Sequence, residues 1–375
     1  MHTKMKIKIL AFSPYPPCPG GGTKATYEIF KRLNPEFNID LVTYQKELNK
    51  LNFVNIYHFN IPNGESILRG FRYITFGLIK SSFLCLKNKY NLIYVKNLTS
   101  PGIIGYLISK IFNIPLVVHT SGPDVEDIEL LSRTYGSFSK FYQKLIRFFV
   151  RRQLISAKVI IANAKRDQEA VKSICEKNSK LIYNGVDFDL FNPSKGNLRK
   201  ELGFTIKDRV CIFVGRAAKE KNIETILYAA EKLKNLKFLF VGPETKDLEK
   251  FGKIGENIIA IGNQKETSKY YLSADIFILP SYGEGTSNAL LEALSCGLPV
   301  VAYPAGETPY LIKENINGFV VNNKERFIEK IDLLAKNKKL RNNISKNNRK
   351  FILENFDWNK TSKEVEEVFR SVTKK

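Results

Sequence analysis

Histidine and cysteine are scarce in this sequence, and long apolar runs are missing. The three histidines are His2, His58 and His119, which leaves few candidates for a catalytic imidazole. Five cysteines (Cys18, Cys85, Cys175, Cys211, Cys296) are scattered, odd in number and without a C-x-x-C pair. That pattern argues against zinc and disulfide frameworks and fits a reducing compartment. The apolar stretch Gly102–Val118 is interrupted by Lys110, Asn113 and Pro115, so no segment reads as a membrane-spanning helix. Lys4 to Lys8 followed by Ile9–Phe12 begins like a signal peptide, but Pro14, Pro16 and Pro17 stop it; a first buried strand is the better reading. Pro19–Gly22 (PGGG) is not a P-loop, because no G-K-[ST] closes it. No compact block of five or six basic residues forms a nucleic-acid arm, and no RNP, KH or zinc pattern is present.

What the chain does have is positive charge and length. Its 375 residues exceed what one hydrophobic core usually organises, so two domains are expected. Lys plus Arg number 59 against 37 Asp plus Glu, a formal net charge of +22. Residues 1–183 carry 27 basic and 12 acidic side chains, the remainder 32 and 25. Such a field favours anionic partners: phosphorylated small molecules, nucleic acid or an acidic membrane. Its spread over the N-terminal half suits a membrane surface or a large anionic acceptor better than a nucleic-acid arm.

Strand and helix patterns alternate. Lys6–Ser13 reads as a strand, followed by a loop through Gly20, Gly21 and Gly22 and a helix over Ala25–Leu33. Further strands are expected at Ile39–Tyr44, Leu92–Lys96, Leu116–His119 and Val159–Asn163, whereas Phe53–Ile61 is poorly patterned. Helices fit around Leu68–Lys87, Gly102–Phe112, Phe138–Ile155 and Arg166–Ile174. The series restarts with Val210–Val214 (VCIFV) and a helix from Ile223 to Lys234. Strands then follow at Phe238–Val241, Ile258–Ile261, Ile276–Pro280, Pro299–Tyr303 and Gly318–Val321. Alternation of this kind indicates βαβ units and mostly parallel sheets, an α/β fold with two Rossmann-like layers. The polar stretch Asn184–Lys207 marks the junction, giving domains of residues 1–190 and 191–356 and an amphipathic closing helix over 357–375.

The chemistry concentrates in Ala274–Val301 (ADIFILPSYGEGTSNALLEALSCGLPVV). A buried strand ends in Pro280–Gly285, and a helix begins near Thr286–Asn288 with Thr286 or Ser287 as its N-cap. Ligands of open α/β sheets bind outside the carboxyl ends of strands, and a helix start offers free N–H groups to an anion such as a diphosphate. Two carboxylates flank the turn, Glu284 before the helix and Glu292 inside it among Leu290, Leu291, Ala293 and Leu294. A buried carboxylate needs hydrogen-bond donors, and ribose hydroxyls would serve; an internal salt bridge or a helix-end charge accounts for the same pattern. A second motif, Val214-Gly215-Arg216 with Lys221 five residues on, also follows a strand. An Arg fork and a mobile Lys could neutralise a departing nucleoside diphosphate, or could be solvated surface charge.

Taken together, GRAAKEKN, EGTSNALLE, EALSCGLPVVA and GETPYLIKENINGFVV resemble the donor half of family 4 glycosyltransferases. The resemblance extends over nearly the whole chain and includes the Gly-rich N-terminal loop, NGVD at Asn184–Asp187 and the closing helix near Trp358. It implies a GT-B fold, two facing Rossmann-like domains with a cleft between them and a C-terminal helix crossing back to the first. It also implies a retaining, metal-independent transfer from a nucleoside-diphosphate sugar to a glycan or lipid-linked acceptor in surface-polysaccharide or glycolipid synthesis. No cofactor and no metal are expected. The implied setting is cytoplasmic, peripheral on the inner membrane face, with an anionic membrane surface as a partner and no specific nucleic acid.

Residue by residue, the resemblance gives Glu292 the donor ribose and Glu284 the hydroxyls of the transferred sugar. Gly285, Thr286, Ser287 and Asn288 would offer backbone N–H groups, Arg216 and Lys221 would bind diphosphate, and Gly21 and Gly22 would let the N-terminal loop approach it. Asn222 departs from the pattern, since a glycine commonly follows the lysine. Many relatives read H-G-x-D in the N-terminal domain, which would put the histidine at Ser121; here His119 lies two residues earlier, a shift of about 6–7 Å along a strand. His119 and Asp124 are both candidates for contact with the donor sugar. A nucleotide-sugar epimerase or a phosphorylase on the same fold is an alternative, although no pyridoxal-phosphate lysine is recognisable; a basic nucleic-acid-binding protein is another. Asp187-Phe188-Asp189 is a formal D-x-D at the domain junction and is set aside. Phe138–Arg152 (FSKFYQKLIRFFVRR) reads as a packed helix with a basic outer face, or as a helix lying on an anionic membrane.

Overall fold

The computed structural model describes residues 6–14, 21–43, 51–59, 67–120, 139–284 and 286–374. The chain divides into two compact units, Met1–Asn184 with Trp358–Lys375, and Gly185–Asp357. In the second unit Val186 N–H donates to Phe356 C=O at 3.0 Å, so the segments that enter and leave it run side by side.

Seven strands form the first sheet: β1 (Ile7–Phe12), β2 (Phe37–Thr43), β3 (Val54–His58), β4 (Leu92–Lys96), β5 (Leu116–His119), β6 (Val159–Ala162) and β7 (Lys180–Leu181). Their order is β3-β2-β1-β4-β5-β6-β7, with every pairing parallel. Between them run α1 (Gly21–Lys31), α2 (Ile67–Lys87), α3 (Ser100–Phe112), α4 (Ser139–Ser156) and α5 (Lys165–Cys175). The central strands are apolar throughout because a parallel sheet is covered on both faces. Leu10, Phe12, Ile93, Val95 and Val118 point to the side of α2, α3 and α4; Ile9, Ala11, Leu92, Tyr94 and Val117 point the other way.

Two elements differ from the sequence expectation. Val54–His58, in the stretch without a clear pattern, is an edge strand; half-exposed positions and a single hydrogen-bonded neighbour relax the demand for apolar residues. The first helix begins at Gly21 rather than Ala25, so Gly21 and Gly22 form its first turn instead of belonging to the loop.

The second unit repeats the plan with β8 (Val210–Val214), α6 (Ile223–Lys232), β9 (Lys237–Val241), β10 (Ile258–Ala260), β11 (Ile276–Leu279), α7 (Asn288–Ser295), β12 (Val300–Ala302), β13 (Gly318–Val320), α8 (Lys324–Lys336) and α9 (Lys338–Asn355). Its order is β10-β9-β8-β11-β12-β13, again all parallel. One glycine is required by close approach. Gly242 has φ +119°, and a Cβ there would lie 2.1 Å from the Gly215 carbonyl oxygen.

The last helix, α10 (Trp358–Thr373), returns to the first unit. Trp358, Val365, Val368, Phe369 and Val372 form its buried stripe, at the three- and four-residue spacing of one helical face. Phe369 meets Tyr94 at 5.3 Å and Phe37 at 5.9 Å between ring centroids, and Ser362 Oγ donates to the Ile29 carbonyl at 2.6 Å. Phe369→Ala removes a fully buried ring from this cluster, and a loss of about 3–4 kcal/mol is expected. Urea unfolding followed by the single tryptophan, Trp358, reads it; an unchanged midpoint would contradict this packing.

Candidate functional site

In the second unit the chain moves outward from β8 to β9 and β10, then comes back to lay β11 on the other side of β8. This reversal is the switch point at which open α/β sheets bind ligands. Two loops leave it. The loop after β8 carries Gly215 and Arg216 and tightens into the 3-10 turn Lys219–Lys221 before α6. The loop after β11 runs from Pro280 to the start of α7.

The structure brings one residue of each motif into contact. Lys221 Nζ lies 2.5 Å from Glu284 Oε1, and Ser281 Oγ donates to the same oxygen at 2.9 Å. Tyr282 N–H donates to the Glu220 carbonyl at 2.8 Å, so backbone as well as side chains joins the loops. Both charged side chains are largely covered, at 17% and 10% exposure. Asn222, where the resemblance departs, adopts φ 52° and ψ 49°. Asparagine tolerates this left-handed conformation, so the turn a glycine would make survives. Its Oδ1 also accepts from Thr225 Oγ1 at 2.9 Å, inside α6.

Arg216 behaves differently. Its side chain is 70% exposed, and Nη2 lies 3.2 Å from Glu220 Oε1. An exposed pair of this kind holds the guanidinium weakly.

Of the two expected caps for α7, Ser287 takes the position, its Oγ accepting from Leu290 N–H at 3.4 Å. Thr286 and Ser287 are both buried. Glu292, one turn and a half further, is buried as its apolar neighbours require, and Tyr271 O–H donates to its Oε2 at 3.0 Å. Burial, followed by the Glu292 charge and this hydrogen bond, pushes the Tyr271 hydroxyl well above its ordinary range, so it stays a neutral donor. Sequence reasoning missed Tyr271, Ser281 and Glu220. Tyr271 sits on the short helix Ser268–Tyr271, 21 residues from its partner, and no local pattern signals the contact.

In the first unit His119 ends β5 as expected but is only 1% exposed. Its Nδ1 shares a 2.7 Å hydrogen bond with Tyr94 O–H, so any contact of Nδ1 with a sugar would require breaking that bond. Buried Lys96 is its register partner on β4. Gly21 and Gly22 open α1, whose first-turn amides lack intrahelical acceptors. Asp124 and Gly285 lie outside the described residues. Asp187 Oδ1 accepts from the N–H groups of Asp189 (3.1 Å) and Leu190 (2.9 Å), a turn-forming role for the D-x-D aspartate. Among the described residues no three His, Cys, Asp or Glu side chains gather as metal ligands would.

Burial and then the Lys96 charge lower the His119 pKa well below 6.5. The unfolded chain takes up a proton near 6.5 that the folded chain refuses. This contribution to stability is therefore complete above pH 6.5 and is lost as pH falls below it, at about 1.4 kcal/mol per pH unit. Between pH 6.5 and 5.5 the native protein should lose about 1 kcal/mol more than a His119→Gln variant. Parallel urea melts test this, and equal losses would refute a neutral buried imidazole.

Comparison with known proteins agrees with this plan. Residues 19–190 match the family model described as Glycosyltransferase Family 4, and residues 194–351 match that of Glycosyl transferases group 1. An uncharacterized glycosyltransferase of Methanocaldococcus jannaschii is 26% identical, over 97% of this chain and 98% of its own. The UDP-Gal:alpha-D-GlcNAc-diphosphoundecaprenol alpha-1,3-galactosyltransferase of Escherichia coli is also 26% identical, over 98% and 97%. Among solved structures, sucrose-phosphate synthase from Thermosynechococcus elongatus superposes with a TM-score of 0.86 at 16% identity, over 98% of this chain and 99% of that one, a likeness of fold. With its two parallel-sheet Rossmann-like units, the chain belongs to the GT-B glycosyltransferases of the family 4 and group 1 type, and it is an enzyme of the hexosyltransferase class.

Proposed function

We propose that this enzyme takes a hexose from a nucleoside-diphosphate donor held by its second unit and delivers it, with retention of configuration and without a metal, to a glycan or lipid-linked acceptor. The observation that carries the reading is the Lys221–Glu284 contact at the switch point, with Ser287 and Glu292 following on α7. The donor diphosphate takes Lys221 from Glu284, with Arg216 and the first-turn amides of α7 sharing the charge. Released from the lysine, Glu284 accepts hydroxyls of the transferred sugar, and Glu292, oriented by Tyr271, accepts those of the ribose.

In the reaction the bond from the anomeric carbon to the diphosphate breaks as the acceptor oxygen bonds to the same face of that carbon. The acceptor proton leaves with the diphosphate. Lys221, Arg216 and the α7 amides stabilise the charge that builds on the leaving group, the work a metal ion does elsewhere. Retention, the ribose and sugar contacts, and the absence of a metal requirement rest on the family resemblance. The unpaired thiols of Cys85, Cys175, Cys211 and Cys296 fit a reducing, cytoplasmic setting, and the diphosphoundecaprenol-linked acceptor of the E. coli relative suggests work in surface-glycan synthesis.

UDP is the first nucleotide to test, because that relative's name specifies UDP-Gal. In a thermal-shift panel of UDP, GDP, ADP and CMP, one nucleotide should raise the melting temperature. Lys221→Ala and Glu292→Ala should each lower donor turnover by about a hundredfold or more while remaining folded. Normal turnover in both variants would remove the site assignment, and recovery of an epimerised donor in place of a transferred sugar would change the reaction class.

A further inference from the structure

Ser281 is buried, and its hydroxyl donates to Glu284 Oε1 at 2.9 Å, the same oxygen that takes Lys221 Nζ at 2.5 Å. Of these two donors only Ser281 belongs to the loop of Glu284 itself. The backbone on either side of Ser281 is fixed. Tyr303 N–H donates to the Leu279 carbonyl at 3.0 Å, and Tyr282 N–H to the Glu220 carbonyl at 2.8 Å. A hydrogen bond from its own loop thus holds the carboxylate independently of the lysine.

Each of the two cations after β8 already faces a carboxylate. Arg216 meets Glu220 at 3.2 Å on the surface, where water screens the pair. Lys221 meets Glu284 where both partners are largely covered and screening is weak. The loops do not need this ion pair to stay together, since the bond from Tyr282 to Glu220 joins them, and desolvation leaves such a pair little net stabilising effect. Its effect falls on the ligand. An anion arriving at Lys221 meets a fixed negative charge beside the ammonium.

We infer that Glu284, held by Ser281, makes the site prefer the sugar-bearing donor over the spent nucleotide. The inference rests on the proposed donor site. A donor brings sugar hydroxyls that donate to the carboxylate and satisfy it. Its diphosphate is esterified at both ends and has no ionisation near neutral pH. Once the sugar has left, no such hydroxyl faces Glu284, and the terminal phosphate gains a second ionisation at about pH 6. The product therefore sets more negative charge in the same place, without the groups that offset the carboxylate. Like charges at short range in a covered site repel strongly. Lys221 returns to Glu284, and the nucleotide leaves. Glu284 determines specificity between donor and product, and Ser281 is its positioning residue.

Calorimetric titration of the full chain with UDP and with UDP-Gal reads the inference as the ratio of two dissociation constants. Glu284→Gln keeps the shape of the side chain and removes its charge. UDP should then bind about tenfold tighter, while UDP-Gal gains less than UDP or loses affinity. Ser281→Ala frees the carboxylate to turn away, so the ratio should move in the same direction by about threefold. Thermal melts check folding, and Ser281→Ala carries the test alone if Glu284→Gln does not fold. If GDP or ADP is bound in place of UDP, it and its hexose conjugate are the probes. An ion pair with a structural role alone leaves the ratio unchanged. Unchanged or weaker nucleotide binding in the folded variants, or an equal gain for both ligands, would overturn the inference and leave the donor site standing. If the native chain binds none of the three nucleotides, the donor site itself falls and the inference with it.

Discussion

The parallel pairing of β8 with β11 is the constraint on which the second unit depends. Ile276 aligns with Cys211 and Phe277 with Ile212. The entry to the pair is locked at Asp275, whose N–H donates to the Val210 carbonyl at 2.8 Å and whose Oδ2 accepts from Val210 N–H at 2.9 Å. Arg199 holds the same carboxylate at 3.3 Å. Because neighbouring crossovers diverge on either side of this pair, the loops beyond its carboxyl end meet each other. Lys221 and Glu284 are 63 residues apart in sequence and arrive at one contact for that reason. An ion pair so little exposed adds little net stability, since desolvation offsets much of the attraction. Its consequence is geometric: each side chain is held in one place.

The first unit uses the same sheet plan but covers its two faces differently. On one face α1 and α10 supply acidic as well as basic side chains, and Arg370 pairs with both Glu36 and Glu366 while Lys180 pairs with Glu367. On the other face α2, α3 and α4 supply cations alone. Ten positive charges of the N-terminal half thus lie on these three helices, beside α5, which packs into the same core and carries Asp167 and Glu169. Balanced ion pairing on the α10 face suits a helix that must stay packed for the fold to persist.

Most of the fold was legible because parallel strands buried on both sides must be apolar along their whole length; VCIFV at Val210–Val214 and IFIL at Ile276–Leu279 allow no other reading. Edge positions lack that demand, which is why Val54–His58, with Asn55 and His58 exposed, escaped notice. Glycines mislead in the other direction. Gly21 and Gly22 suggest a loop by propensity, yet packing of Ala25, Ile29 and Phe30 beneath them carries the helix back to Gly21. At the start of α7, Ser287 fell among the expected caps. Contacts between segments were not legible. The sequence of α7 shows that Glu292 is buried and needs a donor, but only the packing of the short helix Ser268–Tyr271 supplies it.

The two cations that sequence patterns treat as a pair are physically unlike. Lys221 is covered, fixed on Glu284 and tied through its turn to the loop after β11. Arg216 projects into solvent on a weak contact with Glu220, and its ordering would draw on whatever anion it meets. Charge at the switch point is therefore graded, one ammonium covered and paired and one guanidinium exposed. A fixed charge stabilises a charged species most effectively because it needs no reorganisation as that species forms. Under the proposed function, that argument gives Lys221, the less accessible of the two, the larger share of the electrostatic work and Arg216 the smaller.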